Sequence, residues 1–402
     1  MSEKKNVYLV GIGPGKKECL TLEAEAALQK CDCIIGASRI LDSVKRLEKP
    51  CFQSYLPGEI HQWMEEHEEY HTVAVVLSGD CGFYSGARKL TEELEEYCVY
   101  TVPGISSVVY LAAKLNTSWE DAKLVSVHGR KQNYIQSIAS NEKTFLLLGG
   151  AETGREVCEK IREYHLDDVR FFIGRSLSYE EEEILERKGS ELVPEDLEGL
   201  CTVLAVNPVP ECYVHRSIPD ELWIRGNVPM TKEEVRTVSL AKLGLYREAV
   251  LYDIGAGTGS VAVEAACQSE TIRVYAVEKN PEGIRLIEEN KRKFRTDWVQ
   301  PVEGMAPQVL EELEPPTHVF IGGSSGNLKE ILACVRKKNP SVRIVINAIS
   351  LETVTEVMEA VEEGLLDSPE IVQISVAKSR LLGKYHMMTG QNPVYIISNG
   401  GF

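Results

Sequence analysis

Two kinds of glycine-rich stretch in this sequence, and one histidine pair, carry residue types at spacings that chemistry uses. The stretch Asp253-Ile254-Gly255-Ala256-Gly257-Thr258-Gly259 follows an apolar run and leads into Ser260–Ala266, which opens a helix. Glycines there allow a tight turn and close approach to backbone, while the helix behind offers free N–H groups and a positive dipole end. NAD enzymes use the same device, but their G-x-G-x-x-G fingerprint spaces the glycines differently from the strict two-residue interval seen here. The next apolar run ends in Glu278, about 20 residues on, where an acid is placed to accept both hydroxyls of a ribose.

The second kind of stretch occurs three times in the first half. Val10-Gly11-Ile12-Gly13-Pro14-Gly15 ends the first apolar run. Ser78-Gly79-Asp80-Cys81-Gly82-Phe83-Tyr84-Ser85 and Val102-Pro103-Gly104-Ile105-Ser106-Ser107 each follow a strand-like run and precede a helical one. Gly-Pro-Gly cannot open a helix smoothly, so it is read as a turn. His67-Glu68-Glu69-Tyr70-His71 matches the zinc-protease pattern H-E-x-x-H, which requires both histidines on one helical face. The β-branched run Thr72–Leu77 starts directly afterwards, so the helix has ended and no metal is expected. Cys31 and Cys33 have no second ligand pair to complete a metal site. The eleven cysteines contain no C-x-x-C pair, which points to reduced thiols and a cytoplasmic location.

The elements that must position these residues alternate throughout. Strand candidates in the first half are Val7–Val10, Ile34–Ile35, Val73–Leu77, Val99–Val102, Leu124–Val127, Phe145–Leu148, Val169–Ile173 and Val203–Val206. In the second half they are Val250–Ile254, Val274–Val277, Val299–Val302, His318–Ile321, Arg343–Ile346, Val372–Val376 and Val394–Ile397. Amphipathic segments such as Tyr84–Tyr97 separate most of them, which predicts an α/β fold with mainly parallel sheets. The last two strands have no long helix between them, so the second sheet is expected to end in an antiparallel pair. Asn207–Asp220 holds three prolines and no periodicity, and it divides the chain into residues 1–207, a linker at 208–217, and residues 218–402.

The net charge of −17 opposes nucleic acid or an anionic membrane as a partner. No apolar run reaches the roughly 18–20 residues that span a bilayer, and the N-terminus reads as a first strand rather than a signal peptide.

The second half resembles the class I methyltransferases, with a Rossmann-like seven-stranded domain whose D-x-G-x-G-x-G loop holds the methionine part of S-adenosylmethionine. That resemblance implies a cofactor site at Asp253, Gly255, Ala256, Gly257, Thr258 and Gly259, with Glu278 and Lys279 at the ribose and Gly304, Met305 and Ala306 flanking adenine. Many members acting on planar amines carry Asn or Asp, then Pro-Pro and an aromatic, after the fourth strand. This chain has Phe320-Ile321-Gly322-Gly323-Ser324-Ser325-Gly326-Asn327, which favours a carbon or oxygen acceptor. Upstream, Thr231 followed by Glu234 reads as a capping box opening a helix, with Thr231 also at the cofactor. These features, with Lys378-Ser379-Arg380 and Met387-Met388, resemble the decarboxylating cobalt-precorrin-6B methyltransferase family from Ile218 to Asn399.

The first half, about residues 5 to 207, resembles the tetrapyrrole (class III) methyltransferases, and within them the cobalt-precorrin C5-methyltransferases. The likeness includes Val127-His128-Gly129-Arg130 and Leu148-Gly149-Gly150. It implies two α/β subdomains and a folded S-adenosylmethionine at Gly13, Pro14, Gly79, Asp80, Ser106, Ser107 and Leu148. The family usually has proline where this chain has Cys81. The order of the halves resembles the fused precorrin-6Y C5,15-methyltransferases (decarboxylating).

The resemblance implies one S-adenosylmethionine per domain, a small precorrin or cobalt-precorrin substrate, and a homo-oligomer, dimer or tetramer. It further implies methylation at C15 with loss of the C12 acetate carboxyl, and methylation at C5, giving precorrin-8 on the route to cobalamin. A meso carbon of a reduced tetrapyrrole is already enamine-like, so no catalytic base is assigned. The substrate's carboxylates need cations, for which Arg39, Arg88, Arg130, Arg225, Lys378, Arg380 and Lys384 are the candidates. Two other readings stay open: an RNA methyltransferase with an accessory module, and a non-catalytic S-adenosylmethionine sensor in one half.

Overall fold

A computed structural model describes residues 4–127, 131–149, 151–211 and 217–401. The chain forms two compact units. The first takes in residues up to 134 together with 141–162 and 166–210; the second takes in 135–140, 163–165 and 211–402.

The first unit opens with β1 (Asn6–Gly11), α1 (Leu22–Lys30), β2 (Cys33–Gly36), α2 (Ser38–Val44), β3 (Cys51–Gln53), α3 (Pro57–Glu66), β4 (Thr72–Leu77), α4 (Ala87–Glu93), β5 (Cys98–Val102) and α5 (Ser107–Lys114). Its five strands are all parallel, in the order β3-β2-β4-β1-β5. Burial on both faces suits the apolar runs of β1 and β4, because helices cover each side of a parallel sheet. β6 (Lys123–Ser126), β7 (Lys143–Gly149), α7 (Ala151–Glu163), β8 (Arg170–Arg175), β9 (Glu183–Lys188) and β10 (Leu200–Val206) follow, while α6 (Tyr134–Ser140), between β6 and β7 in the chain, is counted with the second unit from residue 135. These strands build a mixed sheet, β6-β7-β10-β8-β9, in which only β6 and β7 run parallel. The two expected α/β subdomains are thus both present.

The second unit holds α8 (Glu233–Leu243), β11 (Val250–Ile254), α9 (Ser260–Ala266), β12 (Arg273–Glu278), α10 (Pro281–Lys293), β13 (Val299–Glu303), β14 (His318–Ile321), α11 (Leu328–Lys338), β15 (Arg343–Ala348), α12 (Leu351–Glu362) and β16 (Glu370–Ile374). It ends with β17 (Ala377–Leu382), β18 (Tyr385–Gly390) and β19 (Val394–Asn399). Seven strands form one sheet, β13-β12-β11-β14-β15-β19-β16, with β19 antiparallel to both neighbours as expected. All of β11 and α9 is buried, so the loop between them hangs on the most enclosed part of the unit.

Three expectations are corrected. The helix after residue 84 is only Ala87–Glu93, because Tyr84 takes a positive φ of 48° and Leu94 leaves helical geometry. α8 begins at Glu233, and Thr231 does not cap it. The Glu233 N–H instead donates to Asp220 Oδ1 at 3.0 Å, a long-range cap that leaves Thr231 and Glu234 free of the box. Residues 377–390, not read as strands, form the β17–β18 hairpin. His67 lies just past the end of α3, stacked on Trp63 at 4.3 Å, so it shares no helix with His71.

The carboxyl ends of β1, β4 and β5 meet through glycine alone. A Cβ on Gly104 would lie well inside contact distance of the Gly79 carbonyl and 2.6 Å from the Gly11 carbonyl carbon, whereas one on Gly58 would meet nothing within 4 Å. Gly104→Ala should therefore destabilise the chain by about 2 kcal/mol or more in urea titration, and Gly58→Ala should leave the midpoint unchanged or raise it slightly.

Candidate active sites

In the first unit the glycine crossing is braced by a carboxylate. Asp80 Oδ1 accepts the Gly82 N–H at 2.8 Å and Oδ2 accepts the Gly104 N–H at 3.0 Å, which locks the 78–85 loop to the 102–107 turn. Gly13 and Gly79 add a pair of backbone hydrogen bonds at 3.1 and 2.8 Å. Cys81 fits where proline is usual: it is buried, its Sγ donates to the Leu9 and Val102 carbonyls, and burial pushes the thiol up to about 12. The loop therefore keeps a fixed shape.

Beyond this crossing lies a cavity of about 730 Å³. It gathers the predicted Pro14, Gly79, Asp80, Ser106, Ser107 and Leu148, and two of the predicted cations, Arg39 and Arg88. Gly13 is one step removed, shaping the turn with φ of 71°. Ser106 caps α5 by accepting the Val109 N–H, and Ser107 accepts from the Thr202 hydroxyl at 2.8 Å. Arg39 donates to the Tyr179 hydroxyl and lies over that ring. Phe83 and Tyr84 of the same loop stand on the wall; sequence reasoning missed Tyr55 beside them, since an isolated aromatic in a loop carries no periodic signal. Arg130 lies outside the described residues.

In the second unit, Gly255, Gly257 and Gly259 all take positive φ. A Cβ at Gly255 would lie 2.7 Å from the Gly323 carbonyl, and one at Gly257 would strike the Pro229 carbonyl. Glu278 Oε2 accepts the Gly257 N–H at 2.9 Å, and its Oε1 accepts the Asn280 N–H. Each carboxylate oxygen keeps a lone pair for another donor. Gly304 is tied to the Glu278 carbonyl, and Asn327 Nδ2 holds the Ala306 carbonyl at 3.1 Å, so the Gly322–Asn327 turn supports the Met305 flank. Lys279 donates to Ser325 Oγ at 2.9 Å.

Asp253 Oδ2 accepts the Ala262 N–H, but its Oδ1 and the Thr258 hydroxyl are enclosed without a partner. Burial pushes the Asp253 carboxyl up to about 7, with the Ala262 bond opposing and the Glu278 charge adding. Arg236, absent from the expected site, is fully buried and organises the approach to the loop. It pairs with Glu264 at 2.6 Å and donates to the Ile218 and Thr231 carbonyls. Thr231 is thus engaged through its carbonyl, by Arg236.

Of the remaining predicted cations, Lys378 is paired with Glu234 at 2.7 Å. Arg225 and Arg380 are exposed with no ion pair among the described residues, and Lys384 lies over the Tyr385 ring. Arg88 makes a loose pair with Glu92 at 3.7 Å.

The 3-2-1-4-5-7-6 strand order over a D-x-G-x-G-x-G loop, in a chain that also carries a glycine-crossed parallel domain, defines a methyltransferase with two methylase folds. A family model described as tetrapyrrole (corrin/porphyrin) methylases matches residues 6–193, and one described as precorrin methyltransferase domain matches residues 223–399. A probable cobalt-precorrin-6B C(15)-methyltransferase (decarboxylating) from Pyrobaculum calidifontis is 44% identical over 189 residues, 46% of this chain and 96% of that protein. The cobalt-precorrin-6B C(15)-methyltransferase (decarboxylating) of Salmonella typhimurium is 36% identical over 181 residues, 44% of this chain and 93% of that one. A solved structure of a precorrin-6y C5,15-methyltransferase from Geobacter metallireducens is 38% identical, covering 47% of this chain and all of that one, with a TM-score of 0.45. Through its C-terminal half the chain belongs to the cobalt-precorrin-6B C(15)-methyltransferase (decarboxylating) family.

Methyltransferases of these families use S-adenosylmethionine, and the residues present fit it. The glycine cradle is one that a Cβ would fill, and beside it in the chain the buried Asp253 Oδ1 and Thr258 hydroxyl have no hydrogen-bond partner among the described residues. The raised Asp253 pKa has a consequence for the free protein. A carboxyl raised on folding stabilises fully below its unfolded value near 4 and loses that contribution as pH rises through about 7. The melting temperature should fall between pH 5 and pH 8, and Asp253→Asn should fall less, as followed by calorimetry without cofactor.

Proposed function

We propose that the chain is a two-site enzyme of cobalamin biosynthesis, with residues 218–402 as the C15 domain, residues 1–207 as the C5 domain and 208–217 as the linker. The C15 domain methylates precorrin-6B or its cobalt form and releases the C12 acetate carboxyl as carbon dioxide. The C5 domain adds the second methyl group, giving precorrin-8. The observation that carries this reading is the presence of two separate glycine-built cradles, one of each methylase fold, in a single chain.

Each cradle takes one S-adenosylmethionine, which supplies an electrophilic methyl group on its sulfonium. The protein's part is alignment, since an in-line displacement needs donor and acceptor held close. Gly255–Gly259 shape the C-terminal cradle, with the Asp253 carboxylate and Thr258 hydroxyl at the amino-acid end. Glu278 and Lys279 stand at the ribose, and Gly304–Ala306 lie along adenine. In the N-terminal cradle Pro14, Gly79, Asp80, Ser106, Ser107 and Leu148 enclose the donor. Arg39 and Arg88 face the substrate's carboxylates. The acceptor carbon is nucleophilic by its own conjugation, and the same conjugated ring absorbs the electrons left by decarboxylation.

The test is mass spectrometry of the products from purified chain, S-adenosylmethionine and precorrin-6B, with and without cobalt. Two methyl groups gained with one carbon dioxide lost is the expected result. Gly255→Val should leave a single methyl group and the carboxyl intact, because it fills only the C-terminal cradle. Carbon dioxide loss with one methyl group in the wild type would make the N-terminal half a sensor. No change at all, with tight and salt-sensitive tRNA binding, would point to an RNA substrate.

The protein assembles as a homo-oligomer in the cytoplasm. Leu381 and Met388 share one face of the β17–β18 hairpin and are 63% and 65% exposed, an apolar surface that self-association would cover. Cys19, Cys31, Cys33, Cys51, Cys81, Cys98, Cys158, Cys201 and Cys334 are free thiols, which suits a reducing compartment. Light scattering after size exclusion should give a dimer or tetramer, shifted to smaller species by Leu381→Asp with Met388→Asp.

A further inference from the structure

The β17–β18 hairpin pairs with no other described strand, and from Ala377 to Gly390 every residue is exposed except Lys378. That lysine reaches back to the first turn of α8, where its Nζ lies 2.7 Å from Glu234 Oε1. Asp220 and Glu233 add negative charge around it. Burial works against the Glu234 charge, yet Lys378, a backbone N–H and Arg236 together hold the carboxyl below its ordinary value. Among the described residues this is the hairpin's one ion pair to the rest of its unit.

Register shows what the tether orients. Lys378 lies opposite Thr389, Arg380 opposite Met387, and Leu382 opposite Tyr385. Side chains alternate along a strand, so these six share one face, and Leu381 and Met388 lie on the other. With Lys378 directed at α8, Arg380, Met387 and Tyr385 continue the same face outward from the helix start. The segment leading into α8 is the one whose Pro229 carbonyl packs against Gly257 in the cofactor loop. The strand face that carries Arg380 and Met387 is thereby anchored, through Lys378, to the helix whose leading segment touches the donor cradle.

We propose that Glu234 is a positioning residue: through Lys378 it holds the Arg380–Met387–Tyr385 face of the hairpin as the platform for a flat polycarboxylate macrocycle. Arg380 takes a peripheral carboxylate by paired N–H donors, and Met387 and Tyr385 take the apolar ring face. Lys378 is accordingly a tether engaged by Glu234 rather than a free cation for substrate, which revises its expected role. The proposal rests on the substrate reading given above.

The experiment has two arms on the full chain. In the first, amide hydrogen exchange is followed without cofactor or substrate. Glu234→Gln and Lys378→Gln should each speed exchange across 378–389 and leave β11 unaltered, and the charge swap Glu234→Lys with Lys378→Glu should restore protection. In the second, kinetics with precorrin-6B should show KM for C15 methylation rising about three- to fivefold in each single variant. kcat should stay within about twofold, C5 methylation should be unchanged, and the swap should restore KM. Arg380→Ala should raise KM to a similar degree with normal exchange. Unchanged exchange in Glu234→Gln, or a swap that fails to restore protection, would overturn the tether. A loss confined to kcat, or Arg380→Ala kinetics equal to wild type, would overturn the platform. Failure of the chain to methylate any precorrin would remove the substrate reading and the platform with it, and the exchange arm would still decide the tether.

Discussion

Backbone must touch backbone at the carboxyl ends of the strands, and only glycine allows it. In the first unit Gly11, Gly79 and Gly104 crowd one another so closely that a Cβ on Gly11 or Gly104 meets main-chain atoms. In the second, Gly255 faces Gly323 while Gly257 faces the Pro229 carbonyl. The crossing loops leave N–H groups that need acceptors, and each unit supplies a carboxylate: Asp80 for Gly82 and Gly104, Glu278 for Gly257 and Asn280. Charged acceptors make the stronger hydrogen bonds, so one side chain fixes two loops. The two folds are unrelated in topology but meet the same constraint in the same way.

That constraint explains which parts of the molecule could be read in the sequence. Glycines after apolar runs locate both cradles, and strand candidates such as Val73–Leu77, Val250–Ile254 and Val394–Ile397 coincide with observed strands because fully buried strands are continuously apolar. β17 and β18 were not legible. Ala-Lys-Ser-Arg-Leu-Leu and Tyr-His-Met-Met-Thr-Gly lack alternation because neither face packs on a core. β9 was hidden likewise, an edge strand with Glu183, Glu186 and Lys188 exposed and Ile184, Leu185 and Arg187 half-buried, which gives no strict alternation. The start of α8 failed for a different reason: its cap comes from Asp220, thirteen residues upstream, and local patterns cannot report a partner brought by tertiary folding.

The charge balance posed a conflict between an acidic chain and a polyanionic substrate. Placement of the cations reduces it. Around the N-terminal cavity Arg39, Arg88 and Lys89 line the wall with one carboxylate, Asp80, whose oxygens accept the Gly82 and Gly104 N–H groups. A local field of the right sign over a few ångströms outweighs a distant net charge, because charges beyond a Debye length of about 8 Å are screened. Net charge therefore excluded a long anionic polymer better than it excluded a small anion in a basic hollow.

The buried pair Arg236–Glu264 shows how the second unit makes its cradle stiff. Removing two charges from water costs several kcal/mol per ion, so such a pair is weak evidence of stability by itself. Its value here lies in the other bonds of the guanidinium, which reach the Ile218 and Thr231 carbonyls and Asp220, while Trp223 lies under the cation at 5.1 Å. Glu264 in turn accepts the Ile218 N–H at 3.1 Å. Every contact fixes the entry segment between Ile218 and Thr231, which has no sheet partner of its own. That segment carries Pro229 against Gly257 and delivers Glu234 to Lys378. An apolar replacement could fill the same volume but would leave the Thr231 carbonyl without its donor and the Ile218 carbonyl with Trp223 Nε1 alone, so the segment would be held less firmly. The ion pair therefore acts on register, and register here sets where Pro229 meets the cofactor loop.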